Sequence, residues 1–282
     1  MTQKQEKFCF CTLALGKRYR LLALELAKDL EKYAPNATFL VLTDNLQDFK
    51  EAKNVLALKH QQKLWCDNDK SFLIEEALSL FDYCICIDAD MRVLAPVSSD
   101  LKWLPGITAR SYSNLVKHHK EKRQKVLAVI KKIAAKLDVD IESEDVKWIH
   151  EFLFVVKKES GKEIEFIKLF KKISRYLELN GIETGAGSAM GLAAAKVGFA
   201  VRHDPVDRIS FFKDRIELER IKSGQVDRED KLVYFEKQQS LEFPQYSIPK
   251  KIVVKLSKSI KDLVRSIRLR IHTLSDFSFY YL

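Results

Sequence analysis

Apolar residues along the first 200 positions alternate between short unbroken runs and longer stretches at helical spacing. Phe8 to Leu13, Thr38 to Thr43 and Tyr83 to Ile87 are continuous apolar runs, which predict strands buried on both faces. Val55 to Leu58 predicts a weaker strand. Between these runs, Lys17 to Tyr33 carries Leu21, Leu22, Leu24, Leu26, Leu30 and Tyr33 in a helical pattern, ended by Pro35-Asn36. Ser71 to Phe81 repeats the pattern with Phe72, Ile74, Ala77, Leu78 and Phe81 turned inward. Strands alternating with helices predict an α/β fold with a mostly parallel sheet flanked by helices. Ligands bind such sheets beyond the carboxyl ends of the strands, the edge where Thr12, Asp44, Asp88 and Asp90 fall.

Further along, Leu115 to Leu137 reads as a charged helical stretch and Trp148 to Val156 as another strand. Glu163 to Leu179 is an amphipathic helix with Ile164, Ile167, Phe170, Ile173 and Leu177 in register. A small-residue loop, Gly181 to Gly191, runs into a helix over Ser188 to Val197, and Phe199 to Arg202 is a short strand ending at His203-Asp204. The pattern weakens after about Asp227 until a terminal basic segment. These readings divide the chain into a domain over 1–246, with a charged helical insertion at 115–145, and a basic amphipathic tail over 247–282.

Charge sharpens that division. The net charge of +10 on 282 residues is concentrated in two segments, Lys117 to Lys136 and Pro249 to His272, each with eight Lys/Arg against one acid. The remainder is mildly acidic. A basic surface spread over the fold, as for general nucleic-acid binding, is therefore not expected; two local contacts with something anionic are. His118 and His119, inside the first segment, read as part of a solvated face. The five cysteines form no Cys-X-X-Cys, and each of the pairs Cys9/Cys11 and Cys84/Cys86 points to one face of a strand, as buried free thiols of a reducing cytoplasm or, as the alternative, zinc ligands. The amino terminus has no signal-peptide core, and no apolar run reaches the roughly 18 residues needed to span a bilayer. A cytoplasmic protein, peripheral to a membrane, is the expectation.

The sharpest chemical feature is Asp88-Ala89-Asp90, delivered by an apolar strand to the ligand-binding edge. Two such carboxylates repel each other and are costly to desolvate without a cation. A hard divalent ion, Mg2+ or Mn2+, prefers oxygen ligands and shares them with substrate phosphates.

In this setting the chain resembles the GT-A glycosyltransferases. The resemblance runs through Cys11-Thr12 to Leu30, Phe39 to Asp44, Lys70 to Leu78 and Tyr83 to Met91, and covers residues 8 to about 204. It implies a GT-A-like fold in which Asp88 and Asp90 hold a divalent metal and Asp88 and Ala89 lie against the diphosphate of a UDP- or GDP-sugar. It implies further that Thr12, Tyr19 and Asp44 contact the nucleotide, that Lys70 touches the donor, and that His203 completes the metal shell. Glu183 is the first candidate for a catalytic or acceptor-binding carboxylate. Glu151 is the second, since an alternating strand would turn only one of His150 and Glu151 toward the site. Gly181 to Ser188 matches Gly-X-Gly-X-X-Gly poorly and follows no first strand, so a dinucleotide site is rejected.

On a helix, Pro249 to His272 gathers Ile252, Val253, Leu256, Ile260, Leu263, Val264, Ile267 and Ile271 in one sector, with basic residues on the other side and Arg270 within the apolar one. Phe277, Phe279, Tyr280, Tyr281 and Leu282 follow. Such a helix either lies in an anionic membrane interface or docks on its own domain. The expected activity is metal-dependent transfer of a sugar from a nucleotide-sugar donor to a hydroxyl of a glycan or lipid-linked acceptor, with no nucleic-acid partner. The alternatives are a nucleotidyltransferase, disfavoured by the single glycine after the first strand, and a non-catalytic basic scaffold binding lipid or nucleic acid.

Overall fold

The structure, a computed structural model, describes residues 6–98, 101–120, 124–204, 208–242 and 248–282. Its strands are β1 (Phe8–Ala14), β2 (Thr38–Thr43), β3 (Val55–Lys59), β4 (Tyr83–Ile87), β5 (Arg92–Val93), β6 (Gly106–Ala109), β7 (Tyr112–Asn114), β8 (Lys147–Ile149), β9 (Leu153–Lys157), β10 (Val201–His203) and β11 (Phe211–Phe212). The helices are α1 (Lys17–Tyr33), α2 (Lys70–Leu80), α3 (Leu115–Lys120), α4 (Gln124–Lys136), α5 (Lys162–Leu179), α6 (Ala186–Val197), α7 (Asp214–Lys222), α8 (Leu232–Glu242), α9 (Ile248–Thr273) and α10 (Phe277–Tyr281).

Seven strands form one sheet in the order β10-β6-β9-β4-β1-β2-β3. All neighbours are parallel except β9, which runs antiparallel to both β4 and β6. The chain is thus an α/β protein with a mostly parallel central sheet flanked by helices. The continuous apolar runs follow from this: β1 and β4 are central and covered on both faces. Their side chains alternate between two cores. Cys9, Cys11, Leu40, Leu42, Cys84 and Cys86 enter one with α2, α5 and α6, while Phe10, Phe39, Val41, Ile85 and Ile87 enter the other with α1. Each cysteine pair does share a face.

Three expectations are corrected. The single strand over Trp148 to Val156 is two strands, β8 and β9, separated by a turn at His150 to Phe152; β8 leaves the main sheet to pair with β7. Ile164, expected inward, is exposed, and Phe166 takes its place in the core. The histidines in the Lys-rich run are not a solvated face. His118 stacks on Trp148 with ring centroids 3.7 Å apart, and His119 is buried with Nε2 2.8 Å from Ser188 Oγ. The basic helix α4 likewise buries Ile130, Ile133 and Ala134 against the core.

The small residues of α6 also have a packing reason. A methyl group on Gly187 would collide with the Ile149 carbonyl, and one on Gly191 with the Lys147 carbonyl. Glycine at both positions lets the backbone of β8 lie directly against the helix.

Candidate active site

β4 is buried along its length and stops at Ile87. Asp88 N donates to Phe152 O (3.0 Å), and Met91 N donates to Asp88 O (3.0 Å), so the chain turns at once and keeps both carboxylates at the sheet edge. The next residues, β5, are fastened to α1. The Arg92 guanidinium forks onto Asp29, with Nε to Oδ2 and Nη2 to Oδ1 both 2.6 Å, and Val93 N donates to the same carboxylate at 3.1 Å.

Two lysines converge on this turn. Lys70 is buried as the first residue of α2. Its Nζ donates to Asp88 Oδ1 (2.6 Å) and to Glu151 O (2.8 Å) and pairs with Asp67 Oδ1 at 2.9 Å. The loop before it is set by Asp69, which accepts from Lys63 N (3.0 Å) and Leu64 N (2.6 Å) and pairs with His60 Nε2 (2.9 Å). Lys70 is thus a buried lysine at the aspartate turn. The second lysine, Lys213, was not singled out in the sequence. β11 pairs antiparallel with β5, Phe211 opposite Val93 and Phe212 opposite Arg92, which carries Lys213 to the turn. Its Nζ bonds Asp88 Oδ2 at 3.3 Å and Asp90 Oδ1 more closely.

The electrostatics follow from these contacts. Burial opposes ionisation of Asp88, but Lys70 and Lys213 outweigh it and hold the carboxyl down at about 2. Burial likewise opposes the charge on Lys213, and Asp88 and Asp90 more than restore it, raising its pKa. His150 is pushed down to about 4 by burial, against the opposing pull of Asp88, with Arg215, Lys70 and Lys213 adding to the fall. Glu151 is pushed up to about 7 by burial and by Asp67, against the pull of Lys70. Its Oε1 accepts from Gly187 N at 3.3 Å, near the start of α6. His150 and Glu151 both lie in the turn between β8 and β9, so strand alternation does not choose between them.

The remaining candidates are placed as follows. Asp44 accepts from Gly16 N (3.0 Å) and Arg20 Nη1 (2.6 Å), tying the end of β2 to the start of α1. Tyr19 is exposed beside it, with the Arg18 guanidinium over its ring at 5.0 Å. Thr12 is buried within β1 and Ala89 is buried in the core on the α1 side, so neither side chain meets solvent at the edge. Glu183 is exposed on the loop between α5 and α6, where its carbonyl accepts from Asn68 Nδ2 (3.2 Å). His203 ends β10, three strand positions from β4 and so about 14 Å away across the sheet. Its Nε2 lies 3.1 Å from Arg110 O. It is not brought to the aspartates. A cleft lined by Trp103, Arg110, Leu153, Asp204 and Arg208 lies beside it.

The aspartate pair fits a hard cation by donor type, because two carboxylates already converge on one positive charge, the Lys213 ammonium. Among the described residues, three metal-type ligands converge only at Cys11, Cys84 and Cys86, all buried in an apolar layer. No protein-family model and no curated protein sequence matches this chain.

Proposed function

We propose that the protein is a glycosyltransferase of GT-A type that moves a sugar from a UDP- or GDP-sugar to a hydroxyl of a glycan or lipid-linked acceptor. The observation that carries this reading is the convergence of Lys70 and Lys213 on Asp88 and Asp90 at the carboxyl end of the central strand. That arrangement suits a diphosphate: two ammonium groups offset its charge, and the aspartates orient them. Asp88 and Asp90 would hold Mg2+ or Mn2+, which when bound supplies Lewis-acid stabilisation of the departing nucleoside diphosphate. The mostly parallel sheet flanked by helices supports the fold class of that reading.

Glu151 is the carboxylate best placed for proton transfer, in preference to the exposed Glu183. A pKa near 7 suits a general base at neutral pH. In the proposed reaction the acceptor oxygen bonds the anomeric carbon, the bond from that carbon to the phosphate oxygen breaks, and the diphosphate leaves with the electron pair. Glu151 takes the hydroxyl proton. The Gly187 N–H orients its carboxylate, and His150 stays neutral beside it.

The test is a panel of nucleotide sugars screened by thermal shift with and without Mn2+, followed by hydrolysis of any hit. UDP- or GDP-sugar hydrolysis that is lost in both Asp88→Asn and Asp90→Asn is the expected result. Full activity in both variants would sink the assignment.

A further inference from the structure

The C-terminal helix α9 meets its own protein through its carboxyl-terminal half and leaves a row of large apolar side chains in solvent. It docks against α5 and the Trp65 loop through a stripe spaced three and four residues apart: Arg265, Leu269, Thr273 and, beyond the helix, Asp276. Arg265 lies over the Trp65 ring at 4.2 Å, Leu269 and Thr273 are buried, and Asp276 pairs with Lys172 at 2.6 Å. Phe279 and Tyr280, on the segment that follows, complete the contact. The opposite stripe, Leu256, Ile260, Leu263, Ile267, Ile271 and Leu274, has the same helical spacing. Every one of these residues is exposed: Leu263 is 62% and Ile271 64% accessible, against 8% for Leu269.

A row of large apolar side chains facing water is costly for a soluble surface, at about 25 cal/mol per Å2 of apolar area left in water, and marks a binding face. Basic residues flank it. At 100° per residue, Lys261 and Arg268 border one side of the stripe and Arg270 the other. Phe277, Tyr281 and Leu282, past the helix end, are exposed as well. The outward face carries no acid: the one acid between Pro249 and His272 is Asp262, which faces inward and pairs with Arg265 at 2.9 Å. A second copy of the helix would set like charges against each other. An anionic surface that also accepts apolar side chains would not.

We propose that the outward face of α9 is a docking surface for an anionic lipid bilayer, lying in its interface with Leu263 and Ile267 inserted and Lys261, Arg268 and Arg270 on the headgroups. The place of α9 gives the contact a direction. Its anchor Trp65 precedes the turn that delivers Lys70 to Asp88, and Trp65 N donates to Glu178 at the carboxyl end of α5. The helix therefore lies against the loop that leads to Lys70 and the aspartate turn. Among the described residues, no helix is long and apolar enough to cross a membrane.

The experiment is flotation of the full chain with vesicles, without any nucleotide sugar, so that its outcome is independent of the proposed activity. Vesicles of phosphatidylcholine with about 30% phosphatidylglycerol should capture the protein, pure phosphatidylcholine vesicles should not, and high salt should release it. Leu263→Glu with Ile267→Glu should abolish capture while leaving the circular dichroism and melting temperature unchanged. Lys261→Ala with Arg268→Ala should weaken partitioning about tenfold to thirtyfold. Three results would overturn the proposal: no capture of the folded wild type, capture insensitive to the glutamates, or a lipid-free dimer in sedimentation that the glutamates dissociate. Unfolding of the Leu263→Glu, Ile267→Glu variant would also overturn it, because it would show that this face is packed.

Discussion

The Lys213 ammonium is bonded to the Asp90 carboxylate across 123 residues of sequence. Its neighbour Asp88 shares the same ammonium, so a lysine from the start of α7 sits where two aspartates meet. This relationship sets the first prediction. A divalent ion and the Lys213 ammonium compete for the same oxygens. Lys213→Ala should therefore bind Mn2+ more tightly, by about tenfold, since a like charge at contact distance is removed. Titration followed by the electron paramagnetic resonance of free Mn2+ reads this directly, and weaker binding in the variant would contradict the shared position. Under the proposed function, nucleotide-sugar hydrolysis should fall in the same variant, because a charge offsetting the diphosphate is lost.

Lys70 makes a stability prediction. Its ammonium is buried against Asp88, Asp67 and the Glu151 carbonyl. Lys70→Met keeps the volume but leaves Asp88 with only Lys213 as counter-charge. A cost of about 2–3 kcal/mol is expected, below the full cost of orphaning a buried ion because one partner remains. Urea unfolding of the variant measures it; an unchanged midpoint would show that Lys70 is not holding the turn.

Glu151 and His150 predict opposing pH dependences. The Glu151 pKa is raised by folding, from 4.5 to about 7, so the native state holds its proton more tightly and stability falls as pH rises through that window. The His150 pKa is lowered by folding, from 6.5 to about 4, so the unfolded state binds the extra proton and stability rises with pH over its window. Between pH 4.5 and 6.5 the two slopes cancel in the wild type. Glu151→Gln should unmask a rise approaching about 1.4 kcal/mol per pH unit there, and His150→Gln a fall of similar size. Thermal or urea melts at half-unit pH steps distinguish them. In the proposed reaction, Glu151→Gln should also lower the rate by about 10²-fold or more and remove the titration near pH 7 from the rate profile.

Gly191 tests the seat of α6. An added methyl group meets the Lys147 carbonyl, which is backbone and cannot swing aside. Gly191→Ala should cost about 1–3 kcal/mol by overpacking, despite alanine's better helix propensity. A more stable Gly191→Ala protein in urea would mean that β8 does not pack as described.

Much of the sheet was readable because its central strands are buried on both faces. That leaves unbroken apolar runs such as Phe39 to Leu42 and Tyr83 to Ile87, which solvent-facing strands do not have. β6, β7 and β8 are short and carry no comparable run, and the break at His150 to Phe152 hides inside a stretch that is apolar on both sides. The candidate site divides the same way. Asp88, Asp90 and Lys70 lie on or beside strongly patterned elements. Lys213 has no local signal, because what delivers it is a two-residue pairing of Phe211 and Phe212 with Val93 and Arg92.

The sequence by itself determined the α/β class, the aspartates at the end of β4, and the amphipathic character of the terminal segment, since these depend on local periodicity alone. Tertiary structure decided which groups meet the aspartates, that His203 is not among them, and that α9 points its apolar face outward. Periodicity shows that a helix has two faces, but only the surface it packs against decides which one is buried, and here Arg265 finds Trp65, Leu269 and Thr273 are buried, and Leu263 and Ile267 remain in solvent.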